Sequence, residues 1–329
     1  MNNQIETIKN NSDILFIYDA KISNPNGDPD DENKPRMDYN RNINLVSDVR
    51  LKRYIRDYFV DYKNKKIFVP KGKKGSPINA KTSFAIILGK ENKAKIDVTD
   101  KEIIDFIEQA IDVRMFGAII PDVRYKEGKG NVTFTGPIQF NWGYSLNKVM
   151  GPMESSGITS HFQTGEITEE KESAKSAGAM GKDYRLSYSL IAFHGIVSSG
   201  RGVQTNLTDD DIKLFDEAMI NAIPLEATTR SKMGQCPRLY IRIEYNNSEF
   251  FLGDLRDDLK IVNIDNEEIK FEDTANFKSC NDYKLDLSDL TKKIMGHDYK
   301  IDKIHFWKHR DFCITGWNVN EDKLMVLNP

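Results

Sequence analysis

Cations beside an apolar stripe mark one predicted helix as the segment of this chain best suited to bind phosphate groups. The helix runs from Ser47, a favourable N-cap, to Tyr62. At about 100° per residue, Lys52 and Arg56 fall next to each other on one flank, with Arg53 a little further round. Such a row of cations suits the phosphates of a nucleic acid, and the alternative is an ordinary solvated helix face. The apolar side, expected to face a core, consists of Leu51, Ile55, Tyr58 and Tyr62.

A turn-rich loop precedes this helix. Asn24-Pro25-Asn26-Gly27-Asp28-Pro29 follows directly on the apolar run from Ile14 to Tyr18, so the chain leaves a buried strand through tight turns. Strand, shaped loop and basic helix therefore form one unit, which favours the phosphate-binding interpretation over the solvated face.

Periodicity predicts an α+β fold in the order β-α-β-β-α-β, the ferredoxin-like order that RNA-recognition-motif (RRM) folds share. The first strand is expected at 14–21, and two more at 131–142 and 184–198. The parity of the strand at 184–198 slips at Leu190-Ile191, which predicts a bulge. A capping box at Thr208 opens a second helix, and a last strand covers 238–245. The second helix is expected to bury Ile212, Phe215, Met219 and Ile223.

Two long insertions interrupt this order, at 61–130 and at 143–183. Loops of this length inside a compact domain are usually functional. Helices are expected within the first at Asn79–Leu88 and Thr99–Ile111, whereas 166–181 in the second is rich in Glu, Lys, Ser, Ala and Gly and predicts an arm that orders on a partner. The tail at 246–329 is expected to complete the core domain.

Composition predicts one globular domain over 1–329, because 39% of the residues are apolar and 10% aromatic. No apolar run approaches the ~18 residues of a membrane span, and the polar start does not resemble a secretory signal, so we expect a cytoplasmic protein without a membrane partner. The net charge of −3 argues against a free-standing nucleic-acid binder, but the cations concentrate between Arg50 and Lys74. Cys236, Cys280 and Cys313 are too few and too far apart for a disulfide framework or a zinc site, and are expected to be reduced.

Other motifs compete weakly with this interpretation. The segment from Gly75 to Thr82 misses the P-loop pattern by one residue, since Ala80 stands in place of its second glycine. The acidic start at Asp28 lacks the glycine and closing glutamate of a calcium loop, and His305 and His309 lack the glutamate of a zinc-binding helix. His194 lies in an apolar strand segment and is expected to be a core residue. We therefore predict no metal, no cofactor and no catalytic residue.

Several segments, in their order along the chain, resemble one family. They are NPNGDPD, KPR and SDVRLKRYIRDY in the first part, then RMFG at 114–117, TGPIQF at 135–140 and FHGIVS at 193–198. The chain resembles the backbone subunit of type I CRISPR Cascade complexes, the crRNA-binding Cas7 group of the RAMP superfamily, most of all its type I-B and I-C branches. The resemblance extends over about 13–246.

The resemblance implies a non-catalytic protein that polymerises along one CRISPR RNA (crRNA) and presents it to a target DNA strand. It implies a hand-like shape, with an RRM-like palm, fingers at 61–130 and a thumb at 143–183. Its expected partners are crRNA, target DNA, further copies of itself, the large and small subunits, the subunit that caps the crRNA 5′ handle and the repeat-processing endoribonuclease. The alternative is a RAMP-type metal-dependent endoribonuclease that uses Asp28. The RNA-binding residues implied are Ser47, Arg50, Lys52, Arg53 and Arg56 on the helix, Met115 and Phe116 beside a kinked base, and Lys182 and Arg185 for the thumb.

Overall fold

A computed structural model describes residues 6–71, 78–91, 96–121, 123–125, 128–129, 132–159 and 180–328. The predicted arm at 166–181 therefore lies largely outside the described residues, as do the first three residues, 75–77, of the P-loop-like segment. The helices are α1 (Asp48–Asp61), α2 (Ala80–Ile87), α3 (Asp100–Gln109), α4 (Ile111–Phe116), α5 (Ser199–Thr205), α6 (Asp209–Glu226) and α7 (Ser288–Gly296).

The strands are short except for three long ones near the middle of the main sheet. In chain order they are β1 (Ser12–Ser23), β2 (Gly27–Asp28), β3 (Lys34–Pro35), β4 (Met37–Asp38), β5 (Ile43–Val46), β6 (Ile96–Val98), β7 (Gly117–Ile120), β8 (Val123–Tyr125), β9 (Gly128–Lys129), β10 (Val132–Thr135), β11 (Ile138–Phe140), β12 (Gly143–Ser145), β13 (Met153–Thr159), β14 (Met180–Val197), β15 (Gln235–Tyr245), β16 (Lys260–Val262), β17 (Lys284–Asp286), β18 (Ile301–Lys308), β19 (Ile314–Thr315) and β20 (Leu324–Val326).

The fold is a mixed α+β structure around one large sheet. Its strand order is β20-β18-β15-β1-β14-β12-β5-β4, and β11 and β13 also pair with β14. β1 runs antiparallel to both of its neighbours, β14 and β15, and β11 runs antiparallel to β14. The first strand of the chain is therefore the centre of the sheet.

Both faces of the sheet are buried, which explains the dense apolar sequence of its strands. Ile14, Phe16 and Tyr18 of β1 face the helix-side core, where α1 and α6 pack on the sheet. Leu15 and Ile17, on the opposite face, belong to the tail-side core. The tail contributes most of this second core, through Leu255, Ile261, Phe277, Tyr283, Leu285, Leu287, Leu290, Ile294, Ile304 and Phe312.

Burial on both faces also explains why the predicted bulge at Leu190-Ile191 is wrong. Leu190 belongs to the tail-side core and Ile191 to the helix-side core. Apolar residues can therefore follow one another along this strand without a bulge, because both faces are buried. β1 and β14 keep their register there, with Tyr18 opposite Ile191 and Asp19 opposite Leu190. The register shift lies instead between β1 and β15, at Ile17 and Tyr18.

The predicted strand at 131–142 is two strands in different sheets. β10 pairs with β7, whereas β11 pairs with β14 of the main sheet. The chain turns between them at Gly136-Pro137, where a Cβ on Gly136 would lie 2.0 Å from the carbonyl carbon of Phe116. Proline also lacks the amide that would continue a ladder.

The two predicted core helices are confirmed. In α6, Thr208 Oγ1 accepts from the Asp211 amide and Asp211 Oδ2 accepts from the Thr208 amide, which is the predicted capping box. Its four expected apolar residues are buried. On α1, Leu51, Ile55 and Tyr58 are buried as expected, but the expectation for Tyr62 is wrong, because this C-cap residue is 50% exposed.

The first insertion has a core of its own, the insertion core. It gathers residues of α2, α3, β7 and β10, among them Phe84, Phe106 and Ile120. The predicted helices are confirmed, with Asn79 and Thr99 as N-caps, although the second ends at Gln109 and α4 follows. This unit also includes Val132 of β10 and so extends past residue 130.

Among the described helices, none has both the length and the apolar content to cross a membrane. The cysteines are free, as expected.

Candidate nucleic-acid interface

The turn-rich loop holds the start of α1 in place. Asn26 Oδ1 accepts from the amide of Ser47 at 2.8 Å and from its hydroxyl at 3.0 Å. The Ser47 hydroxyl in turn accepts from the amide of Arg50 at 3.3 Å, as an N-cap does. Strand, loop and helix therefore form the single unit that the sequence predicts, and Ser47 is tied into the fold.

Three of the cations on α1 are neutralised by neighbouring carboxylates. Lys52 donates to Asp48 at 3.1 Å and to Gln139 at 2.9 Å, and burial lowers the pKa of its ammonium despite that carboxylate. Arg56 Nε donates to Asp112 at 2.8 Å. This ion pair is buried, because the arginine side chain is 13% exposed and the aspartate side chain 1%. Arg53 donates to Asp57 and to the carbonyl of Val69.

Lys52 and Arg56 lie side by side as the helical spacing predicts, both over the ring of Phe116 at 5.5 and 5.1 Å. They do not form an open ledge of unpaired charge, because each already has an acidic partner and little exposed surface. Whether they contact RNA stays a prediction, and their observed role is to join α1 to the insertion and to β11.

Arg50 differs from the other cations of the helix. Its guanidinium lies 3.9 Å from the centre of the Tyr54 ring, and within the described residues it has no carboxylate partner. Its Nε is buried and lacks a hydrogen-bond partner among those residues. Among the described residues, therefore, the charge of Arg50 is balanced by no carboxylate, and its Nε–H is unsatisfied.

Met115 and Phe116 pack in the helix-side core. Met115 has 0% of its surface exposed and Phe116 has 7%. In this conformation Met115 has no exposed surface, which favours ordinary core packing, and base contact by Met115 and Phe116 stays a prediction. The ring of Phe116 lies against Lys52 and Arg56 of α1.

The predicted thumb residues lie inside β14 and not beside its start. Lys182 Nζ donates to Glu32 Oε1 at 3.2 Å, and the Tyr184 hydroxyl donates to Glu32 Oε2 at 2.6 Å. Arg185 donates to Asp183 Oδ2 at 2.8 Å and to the carbonyl of Ile22 at 3.1 Å. These contacts fasten the hairpin of β13 and β14 to Glu32, before β3, and to the end of β1.

The competing motifs have structural partners of their own. Asp28 Oδ2 accepts from Arg36 at 2.9 Å within the loop, and Asp28 Oδ1 accepts from the amide of Asp30 at 3.2 Å.

The histidines also have contacts within the fold. His305 lies on strand β18 and contacts Glu244 at 3.0 Å, while His309 follows that strand. His194 lies 3.7 Å from buried Asp13, and burial lowers the pKa of its imidazole. In the part of the chain that the structure describes, no three His, Cys, Asp or Glu side chains group as metal ligands.

Sequence reasoning missed the residues that decide the charge of this region. Asp112 and Gln139 lie far from α1 along the chain and belong to elements whose contact with α1 no local pattern encodes. Lys232, in the loop between α6 and β15, also escaped notice, although Ser231-Lys232-Met233-Gly234 has the composition of a shaped turn.

The family model for CRISPR-associated protein Cas7 matches residues 10–288, a span that includes the turn-rich loop, α1, α6 and the central strands. The chain belongs to the Cas7 family. It is also 30% identical over 310 residues to a CRISPR-associated protein Cas7 of Haloferax volcanii, a match that covers 91% of this chain and 87% of that protein. The family resemblance predicted from the sequence is thus confirmed, whereas the assignment to the type I-B or I-C branch stays a prediction.

Two solved structures are similar to this Cas7-family chain over most of its length. A chain of a CRISPR RNA-guided surveillance complex, pre-nicking, is 12% identical with a TM-score of 0.46, covering 94% of this chain and 96% of that chain. A chain of a CRISPR RNA-guided surveillance complex is 14% identical with a TM-score of 0.47, covering 92% of this chain and 90% of the other.

Proposed function

We propose that this protein is a crRNA-binding backbone subunit of a type I CRISPR interference complex. The observation that carries the proposal is membership of the Cas7 family over residues 10–288. Several copies polymerise along one crRNA, and each contacts the sugar-phosphate backbone without reading its sequence. Base pairing between guide and target supplies specificity in such complexes, so the protein needs shape and positive charge and no base contacts.

The palm of this hand-like subunit is, in our proposal, the RRM-like core of the sheet. The order β15-β1-β14-β11, antiparallel throughout, with α1 and α6 on one face, supports it, because this is the strand order of a ferredoxin-like β-α-β-β-α-β unit. RRM proteins stack bases on the open face of their sheet. In this protein the tail covers that face of the sheet. RNA therefore binds instead at the turn-rich loop and at the N-terminal end of α1.

We assign the fingers to 61–130 and the thumb to 143–183, with 246–329 as an extension of the palm. The separate insertion core supports a finger unit that folds around its own apolar residues. The hairpin of β13 and β14, fastened to Glu32 through Lys182 and Tyr184, supports a thumb base beside the turn-rich loop. The thumb displaces a guide base at intervals and reaches toward the next copy.

For the RNA backbone we propose contacts around Ser47 and Arg50, with Arg50 as the principal cation. It lies at the first turn of α1, where Asn26 holds the loop against the helix, and none of the described carboxylates pairs with it. Lys52, Arg53 and Arg56 contribute positive potential behind it, reduced by their acidic partners. Lys182 and Arg185 approach the RNA from the thumb side.

The remaining partners follow from the same assembly. They are the target DNA strand, the large and small subunits, the subunit that caps the crRNA 5′ handle and the repeat-processing endoribonuclease, all in the cytoplasm. We propose a non-catalytic role. The acid that a RAMP-type endoribonuclease would use, Asp28, is engaged by Arg36 and by the backbone of its own loop.

Purification from a bacterial host tests this function. Size-exclusion chromatography with light scattering, combined with the 260/280 nm absorbance ratio, measures particle mass and nucleic acid together. We expect large RNA-containing particles that fall apart on treatment with ribonuclease. A protein that stays monomeric and free of nucleic acid, even with added single-stranded RNA, contradicts the proposal. Shortening of that RNA in magnesium, abolished in Asp28→Ala, would establish the endoribonuclease instead.

A further inference from the structure

The loop between α6 and β15 brings a second cation to the region of Arg50. This loop is fixed against the end of β1, because the Lys21 amide donates to the Gly234 carbonyl and the Asn24 amide donates to the Ser231 carbonyl, both at 2.8 Å. The Lys232 ammonium reaches across and donates to the carbonyl of Asn24 at 2.6 Å. Lys232 is thereby held in one position beside the turn-rich loop.

A short chain of contacts joins Lys232 to Arg50. Gln235 Nε2 donates to the Lys232 carbonyl at 2.9 Å and to the Tyr54 hydroxyl at 3.1 Å. The Tyr54 ring carries the Arg50 guanidinium on its face, at 3.9 Å. Arg50 is close enough for its charge to act on Lys232, and together with burial, which has the larger effect, it lowers the pKa of the Lys232 ammonium to about 7.

Among the described residues, no carboxylate balances the charge of these two cations. Unlike Lys52, Arg53 and Arg56, neither makes an ion pair with a carboxylate of the described residues. Two donors in this region are also unsatisfied there: Arg50 Nε and Ser23 Oγ are buried without a hydrogen-bond partner. Two like charges held together in a half-buried place are unfavourable unless an anion joins them.

We propose that Arg50 and Lys232 together bind one phosphate group of the RNA backbone. This inference rests on the proposed function and deepens it, since it names a two-cation site that includes a residue outside α1. A guanidinium offers a planar fork of donors to phosphate oxygens, and an ammonium adds a compact charge. The phosphate supplies the negative charge that the described residues around the two cations do not.

Binding at this site is coupled to protonation of Lys232. A phosphate beside the ammonium favours its charged form, so the pKa of Lys232 rises when RNA binds, and the complex takes up a proton at pH values above about 7. Arg50 is the charged group that acts on Lys232, and the phenols beside Arg50 belong to Tyr18 and Tyr54. Burial raises the pKa of Tyr18 well above its ordinary value, so this phenol stays neutral. RNA affinity therefore falls as the pH rises above 7, by at most about tenfold per pH unit.

The test measures the affinity of the full chain for a labelled single-stranded RNA by fluorescence anisotropy, from about pH 6 to about pH 9 and at several salt concentrations. Lys232→Met removes the charge and keeps most of the stem. We expect it to weaken binding about tenfold at the acid end, to lower the slope of log K against log salt by about 0.7, and to remove the loss of affinity at high pH. Lys232→Arg keeps the charge at every pH, so we expect strong binding without the pH dependence.

Lys213→Met is the matched control, because Lys213 is 76% exposed, pairs with Asp210 and lies on α6 away from the site. It should change neither the affinity nor its pH dependence. Thermal unfolding verifies folding, and Lys232→Met should be at least as stable as the natural chain, since it removes a buried ammonium. If the natural chain binds RNA and Lys232→Met binds it equally well at all pH values, the phosphate site is wrong while the proposed function stands. If the natural chain binds no RNA, both fail.

Discussion

Arg50 and Arg56 stand on the same helix, yet their replacement by methionine should have opposite consequences. Arg56→Met removes the ion-pair partner of buried Asp112. The Asp112 carboxylate would still accept hydrogen bonds from the amides of Phe68, at 2.6 Å, and Val69, at 3.3 Å. Breaking a buried ion pair costs about 3 to 5 kcal/mol, and the two remaining amides favour the lower end. Loss of the cation over the Phe116 ring, at 5.1 Å, adds roughly 0.5 kcal/mol. We expect Arg56→Met to lower the free energy of unfolding by about 3.5 kcal/mol in total.

Arg50→Met should behave in the reverse way. The substitution loses the contact with the Tyr54 ring, which lowers the stability by about 1 kcal/mol, and it removes the unsatisfied buried Nε, which raises it. The net change in the free energy of unfolding should therefore stay below about 1 kcal/mol. The slope of log K against log salt for single-stranded RNA should fall by about 0.7, the effect of one lost phosphate contact.

Urea unfolding followed by circular dichroism measures the first quantity, and anisotropy titrations with RNA in rising salt measure the second. Arg56→Met should lower the salt slope by much less than Arg50→Met does, at temperatures where it is folded, because the charge of Arg56 is reduced by Asp112. The reasoning is refuted if Arg56→Met loses less than about 1 kcal/mol while its salt slope falls by about 0.7, because Arg56 would then be a phosphate contact and not a structural ion pair.

Two further predictions concern the frame that holds the site. Asp216 on α6 accepts from Tyr240 at 2.6 Å and from Arg242 at 2.9 and 2.7 Å, so Asp216→Ala should cost about 3 to 5 kcal/mol in urea unfolding, and a cost under about 1 kcal/mol would contradict the buried pair. Gly117 has a φ of +78°, and a Cβ there would lie 2.2 Å from the Phe134 carbonyl oxygen; Gly117→Ala should therefore lower the melting temperature clearly, whereas Gly151→Ala, with no atom within 4 Å of its Cβ, should not. Equal melting temperatures for these two variants would show that the backbone between β7 and β10 adapts.

Local signals predicted the helices that carry the site. Ser47 and Thr208 lie at the N-caps expected from their own side chains and from the apolar spacing that follows them. A cap needs only residues three positions apart, so the sequence contains the whole interaction. The starts of α1 and α6 followed for the same reason.

The charge state of the site could not be predicted in this way. Arg56 meets Asp112, 56 residues along the chain, and Lys52 meets Gln139, 87 residues along. Such partners depend on how the insertion packs against α1, which helical periodicity does not encode. The misplaced bulge has a related origin. A strand buried on both faces has no polar side, so the alternation that would set its register is missing from the sequence.

The central position of β1 also determines when the domain can form. Its partners in the sheet are β14 and β15, which end at Val197 and Tyr245, so the first strand made is completed by some of the later ones. At about 5 to 20 residues per second, roughly 10 to 45 s pass between synthesis of β1 and that of β15. During this time Ile14, Leu15, Phe16 and Ile17 remain without the neighbours that bury them in the native state. Contacts of such long sequence separation slow folding, so the apolar residues of β1 stay exposed to aggregation until the sheet can close.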